Sequence, residues 1–226
     1  MTEPQQNPEA SSTTGSPERR PGLGSVLVRV SWLAILLGLA METLLLLFTA
    51  GFEIVPGFKS VVADVFGKVT WSGLVCAGLA LGTAASKARA PLMGLLGLLA
   101  APLAFHVSRV IQQGVAKTLE VASAGAPVGS RTLILLTLVK AVEYACLGVV
   151  IGWMGRRAWG GVLAHAAVGL AVGILFGGAI VGFTYWTAPE PLAAADLASR
   201  SINEILFPVG CSLVIYSATA FGKRVG

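Results

Sequence analysis

The chain has 226 residues, 55% of them hydrophobic and 12% charged, with a mean hydropathy of +0.79. That charged fraction is about half the share a soluble domain carries, which excludes an ordinary soluble globular protein. The net charge of +5 is spread along the flanks of apolar runs, which argues against nucleic acid as a partner.

Residues 1–22, MTEPQQNPEASSTTGSPERRPG, are rich in Pro, Ser, Thr, Gln and Glu. They cannot bury enough apolar surface to fold, so residues 1–24 read as a disordered cytoplasmic tail. Nothing apolar precedes Leu23, and the run that follows is too long for a signal-peptide core, so the first span is expected to be retained.

Six apolar runs follow, each near the ~20 residues that cross a ~30 Å hydrocarbon core. The expected spans are 25–51, 61–84, 91–111, 132–154, 161–186 and 201–221. The runs are continuous in Leu, Ala and Gly, without the ten-residue alternation of a membrane barrel, so helices must satisfy the backbone in lipid. The fold class is therefore all-α: a polytopic membrane helical bundle over residues 25–222, with 223–226 as a short cytoplasmic C-terminus.

The first span carries Glu42, twelve residues and roughly 18 Å of helix after Val30. The second opens with Asp64 and Lys68, spaced as an i, i+4 pair. The third holds Pro102, His106 and Arg109. The loop at 113–130 is the longest, and its start reads as a short amphipathic surface helix.

The fourth span holds Lys140 and Glu143, one turn apart inside LVKAVEYACLG. Glu143 lies eleven residues, roughly 16 Å, after Thr132, at a depth similar to Glu42. A charge at mid-membrane costs at least ~2.5–3.5 kcal/mol. A lysine between two carboxylates leaves one negative charge in excess, which a proton or cation can fill. Glu42, Lys140 and Glu143 thus read as a proton or ion pathway. The competing reading is a Glu–Lys lock that fixes one helix arrangement.

In the fifth span His165, Gly169, Gly173 and Gly177 recur at every fourth position, with Gly178 and Gly182 on an adjacent face. Such a stripe lets backbones approach closely, whether the partner is another span, a second copy or a larger complex. Asn203 and Glu204 open the sixth span, and Pro208 follows. Asp64, His106, Arg109 and Glu204 together would form a polar vestibule on the outer side. Trp153, Trp159 and Trp186 lie near span ends, where indole rings favour the interface.

Nine Lys and Arg, from Arg19 to Arg224, flank the spans on one side. Lys59, Lys117, Arg131 and Arg200 lie on the other. This bias places both termini in the cytoplasm and the chain in a plasma (inner) membrane as a multi-pass protein. Residues 39–52 align with 140–153 at an offset of 101, pairing Glu42 with Glu143; further on, Pro102 meets Pro208. Three spans per unit would make this a 3+3 inverted repeat, with the prolines as helix interruptions.

Cys76, Cys146 and Cys211 form no CxxC pair and read as apolar fillers. No metal or cofactor is expected. No HExxH, G-x-S-x-G or phosphate-loop motif is present, so the chain is not expected to be an enzyme. The leading expectation is a small proton-coupled transporter or ion pathway. The alternatives are a membrane-bound regulator that tethers a cytosolic partner through its tail, and an accessory subunit docked by the glycine stripe.

Overall fold

The computed structural model describes residues 23–54, 56–84, 88–121, 130–155, 157, 160–188 and 191–224, with side chains to residue 220. Residues 1–22 of the expected tail, Trp159 and several basic residues counted for orientation, Arg19 and Arg156 among them, lie outside the described residues, while residues 23 and 24 already belong to the first helix. Among those described, every regular element is helical. Four long helices come first: α1 (Leu23–Ala50), α2 (Phe58–Gly82), α3 (Arg89–Thr118) and α4 (Ser130–Met154). The fifth span is α5 (Val162–Val172) and α6 (Gly178–Thr187), joined by a π-helical turn at Gly173–Gly177. The last helix is α7 (Ala194–Arg224).

Among the described residues, six helices are therefore long and apolar enough to cross a membrane. Their outward faces carry large apolar side chains such as Trp32, Leu47, Leu99, Leu163 and Leu175. A surface of this kind suits lipid and would aggregate in water.

Some boundaries differ from the sequence reading. α3 runs on to Thr118, so residues 113–118 are its last turns and not a separate surface helix. α7 begins at Ala194, seven residues before the expected start. Its first turns are too polar to register as part of an apolar run, yet they are helical. Both Pro102 and Pro208 sit inside unbroken helices and interrupt neither. Proline fits helical φ and loses only one backbone bond, which packed neighbours tolerate. The irregular backbone lies instead in the glycine-rich fifth span.

Helices α1 to α4 pack in sequence, each antiparallel on the last, and α7 returns to α1. Their core is Val75, Leu79, Met93, Tyr144, Leu147 and Cys211, all without solvent exposure. α5 and α6 lean on α7, and α5 and the π-helical turn touch α4 only lightly. The two halves therefore pair their helices differently: α2 is clasped by α1 and α3, whereas the fifth span meets one neighbour broadly.

Two glycine seams set the closest approaches. The expected stripe faces α7: a Cβ on Gly169 would lie 2.8 Å from the Pro208 carbonyl oxygen, and one on Gly177 2.8 Å from that of Glu204. Its partner is thus another span of the same chain. Gly178 and Gly182, on the adjacent face, meet nothing. A second seam joins α3 to α4, where a Cβ on Gly152 would lie 2.6 Å from Ala90 Cα and Gly148 abuts Met93 and Gly94. The sequence spells it as Gly-x-x-x-Gly at 148–152.

Candidate functional site

One cavity of about 520 Å³ opens at the bundle end shared by the C-termini of α1 and α3 and the N-termini of α2 and α7. Its walls come from α1, α2, α3 and α7, and Lys140 of α4 lies at its base. Four charged positions stand at one level. Lys68, Lys140 and Glu204 each lie ten residues from the start of their helix, roughly 15 Å deep, and Glu42 lies eight residues from the end of α1, roughly 12 Å.

These residues form two ion-pair groups. In the wall, Lys68 of α2 pairs with Glu42 of α1. At the base, Lys140 pairs with Glu143 one turn along its own helix at 2.9 Å, and with Glu204 of α7. Glu143 is completely buried behind Lys140, and its Oε1 has no hydrogen-bond partner. The Lys140 ammonium also lies over the Trp71 ring at 5.6 Å and the Tyr144 ring at 5.8 Å. Trp71 stands edge-on to both Tyr144 and Phe105, at 5.7 and 6.3 Å between centroids. Packed aromatic rings thus fix the lysine against its two acids.

The assembly changes several expected partnerships. Glu42 does not join Lys140; it is taken by Lys68, which faces it across the α1–α2 contact. That contact is close, with Ser72 Oγ donating to the Ala34 carbonyl at 2.7 Å and Gly38 against Val69. The expected Asp64–Lys68 pair does not form. Asp64 instead accepts from Gln112 Nε2 of α3 at 2.6 Å, a partner available because α3 extends past Ile111. Glu204 is not an interfacial residue at a span's start; the early beginning of α7 carries it down to Lys140.

Of the four expected vestibule residues, Asp64, Arg109 and Glu204 line the cavity. His106 does not: it is exposed on the outer face of α3, its ring against Phe105. Arg109 stacks its guanidinium on Phe105 at 5.7 Å. His165 is a packing residue. Its Nδ1 is 3.0 Å from the Gly161 carbonyl, its ring lies 4.9 Å from Tyr216, and its own carbonyl accepts from Ser212 Oγ at 2.8 Å.

Gln112, Asn203, Ser199 and Asp196 were missed as cavity residues. Gln112 had the signal of a polar side chain two turns beyond His106, within reach of a longer third helix. Among the described residues no three His, Cys, Asp or Glu side chains gather as metal ligands. Cys76 and Cys211 are buried in the core and all three cysteines are free thiols. No protein-family model matches this chain, and no curated protein or solved structure matches it significantly.

Proposed function

We propose that this chain is an integral membrane protein that crosses the bilayer six times, with both termini cytoplasmic, and conducts or exchanges protons or ions through the cavity that ends on Lys140. The observation that carries this reading is the base of the cavity: one lysine between two carboxylates, with Glu143 wholly buried and one of its oxygens unpartnered. Two acids and one base leave a negative charge uncompensated at a depth where bare charge is costly. A proton or a bound cation compensates it, and its departure leaves the charge bare, so occupancy and helix arrangement are coupled. The cavity connects this group to one side of the bundle. With the basic flanks set inward, that side is the non-cytoplasmic one.

The repeat alignment carries no part of this reading. It makes Glu42 and Glu143 equivalent, yet Glu42 finds its lysine on the next helix and Glu143 on its own. Tethering rests on a tail outside the described residues, and the main glycine stripe on which docking as a subunit rests is taken up by α7.

The test is proton and cation flux in proteoliposomes for wild type, Glu143→Gln and Glu204→Gln. Flux in wild type that both substitutions remove, with the proteins still folded, supports the pathway. No flux in wild type under any gradient turns the charge group into a structural lock.

A further inference from the structure

The same cavity carries a chemical preference. Five carboxylates stand in or beneath it: Glu42, Asp64, Asp196 and Glu204 on its surface, and Glu143 behind its base. Four cations face them: Lys68, Arg109, Lys140 and Arg200. One carboxylate is in excess, and the deepest group holds the imbalance. A ligand that ends there should bring one positive charge.

It should also bring N–H donors. Asn203 Oδ1 and Ser199 Oγ belong to lining residues, are buried, and have no hydrogen-bond partner. Both residues belong to the cavity wall. Unpartnered buried acceptors cost free energy until a donor reaches them. The walls between these polar atoms are apolar: Trp71, Phe105, Phe207, Leu45 and Leu46. They suit a short hydrocarbon chain, and one of these wall rings, Trp71, already holds an ammonium, that of Lys140.

A bare metal ion fits poorly. Hard cations take six or more oxygen ligands, and among the described residues no three His, Cys, Asp or Glu side chains gather to supply them. A volume of about 520 Å³ is that of a small-molecule site.

We propose that the cavity binds a small protonated alkylamine, its ammonium directed to Glu204 and Asn203 and its carbon chain along Trp71, Phe105 and Phe207. The proposal rests on the cavity being the working site, and it names the class of cation that site takes. In the absence of the amine a proton compensates the extra carboxylate. Arrival of the ammonium releases that proton, so binding and proton exchange are coupled one to one.

The experiment is calorimetric titration of the full-length protein in mild detergent, in weak buffer with a pH indicator. The probes are n-pentylamine, tetraethylammonium, 1-pentanol and pentanoate. The expected result is binding of n-pentylamine alone, with release of one proton. Glu204→Gln and Asn203→Leu should weaken it about 10- to 100-fold. Asn203→Leu touches no ion pair, so it keeps the test open if Glu204→Gln does not fold. Binding of pentanoate overturns the proposal and moves the ligand's charge to Arg109 and Arg200. Binding of tetraethylammonium as tightly as pentylamine overturns it too, since that cation has no N–H to give. If no probe binds while wild type still shows flux, the amine is wrong and the proton pathway stands. If neither binding nor flux is seen, both fall together.

Discussion

Two groups built from the same residue types lie at nearly the same depth and differ in one respect. Glu42 and Lys68 are a closed pair, one acid to one base, spanning α1 and α2 at the edge of the cavity. Lys140 has two acids, one on its own helix and one on α7, and Glu143 has no exposure at all. A one-to-one pair is electrically complete and can serve as a lock between helices. A two-to-one group cannot be complete without a proton or a guest. The composition of each cluster, more than its burial, sets the two apart.

The largest expected effect comes from removing the shared base. Lys140→Met leaves Glu143 and Glu204 together without a cation, with Glu143 wholly buried, and should cost about 3–5 kcal/mol, visible as a large fall in unfolding temperature in detergent. Adding Glu143→Gln to that background should recover part of the loss. Lys68→Met strands only Glu42, which borders the cavity and can reach water, so its cost should be nearer 1–3 kcal/mol. Equal losses at the two lysines would erase the distinction between the clusters.

A different perturbation reaches only one of them. Gly173 lies directly on the Ile205 backbone, next to Glu204, and a methyl group there has no room. Gly173→Ala should part the π-helical turn from α7, cost about 1–3 kcal/mol, and disturb Glu204 while leaving Glu42–Lys68 in place. A crosslink between cysteines placed on α1 and α2 should form as in wild type, and flux should fall.

How much of this could be read in the sequence follows from what hydropathy and spacing encode. The six spans were legible because lipid demands long apolar runs. Lys140 and Glu143 were legible as neighbours because helical geometry fixes residues three apart. The partners of Glu42 and Glu204 were not, because which helix faces which is decided by packing far along the chain. Glu204 was hidden twice over. The polar turns from Ala194 concealed the helix that carries it, so it read as a vestibule residue at the start of a span and not as a partner of Lys140. The glycine stripe showed close packing without showing that α7 was its partner, and no sequence pattern distinguished the π-helical turn from ordinary helix.

The wall pair should nearly vanish from the stability account when it is removed as a whole. Glu42→Gln with Lys68→Met replaces both charges by neutral groups of similar size, and such exchanges of buried pairs are often close to neutral. The expected change is within about 1 kcal/mol, read by thermal unfolding of the double variant against each single one. A double variant as unstable as Lys68→Met alone would mean that Glu42 has work beyond its pair.

The smallest expected change in stability belongs to the residue expected to matter most for activity. Glu143→Gln removes the surplus acid and leaves Lys140 with Glu204, a one-to-one pair like that of Glu42 and Lys68. The amide keeps the volume of the carboxylate and removes a buried charge whose Oε1 has no partner. Stability should therefore hold or rise, within about 1 kcal/mol. Flux should be lost, because a complete pair has no need of a proton. The two readouts move in opposite directions only if Glu143 supplies the working charge. A fall of several kcal/mol would instead make Glu143 half of a lock, equivalent in kind to Glu42, and the contrast between the clusters would rest on burial alone.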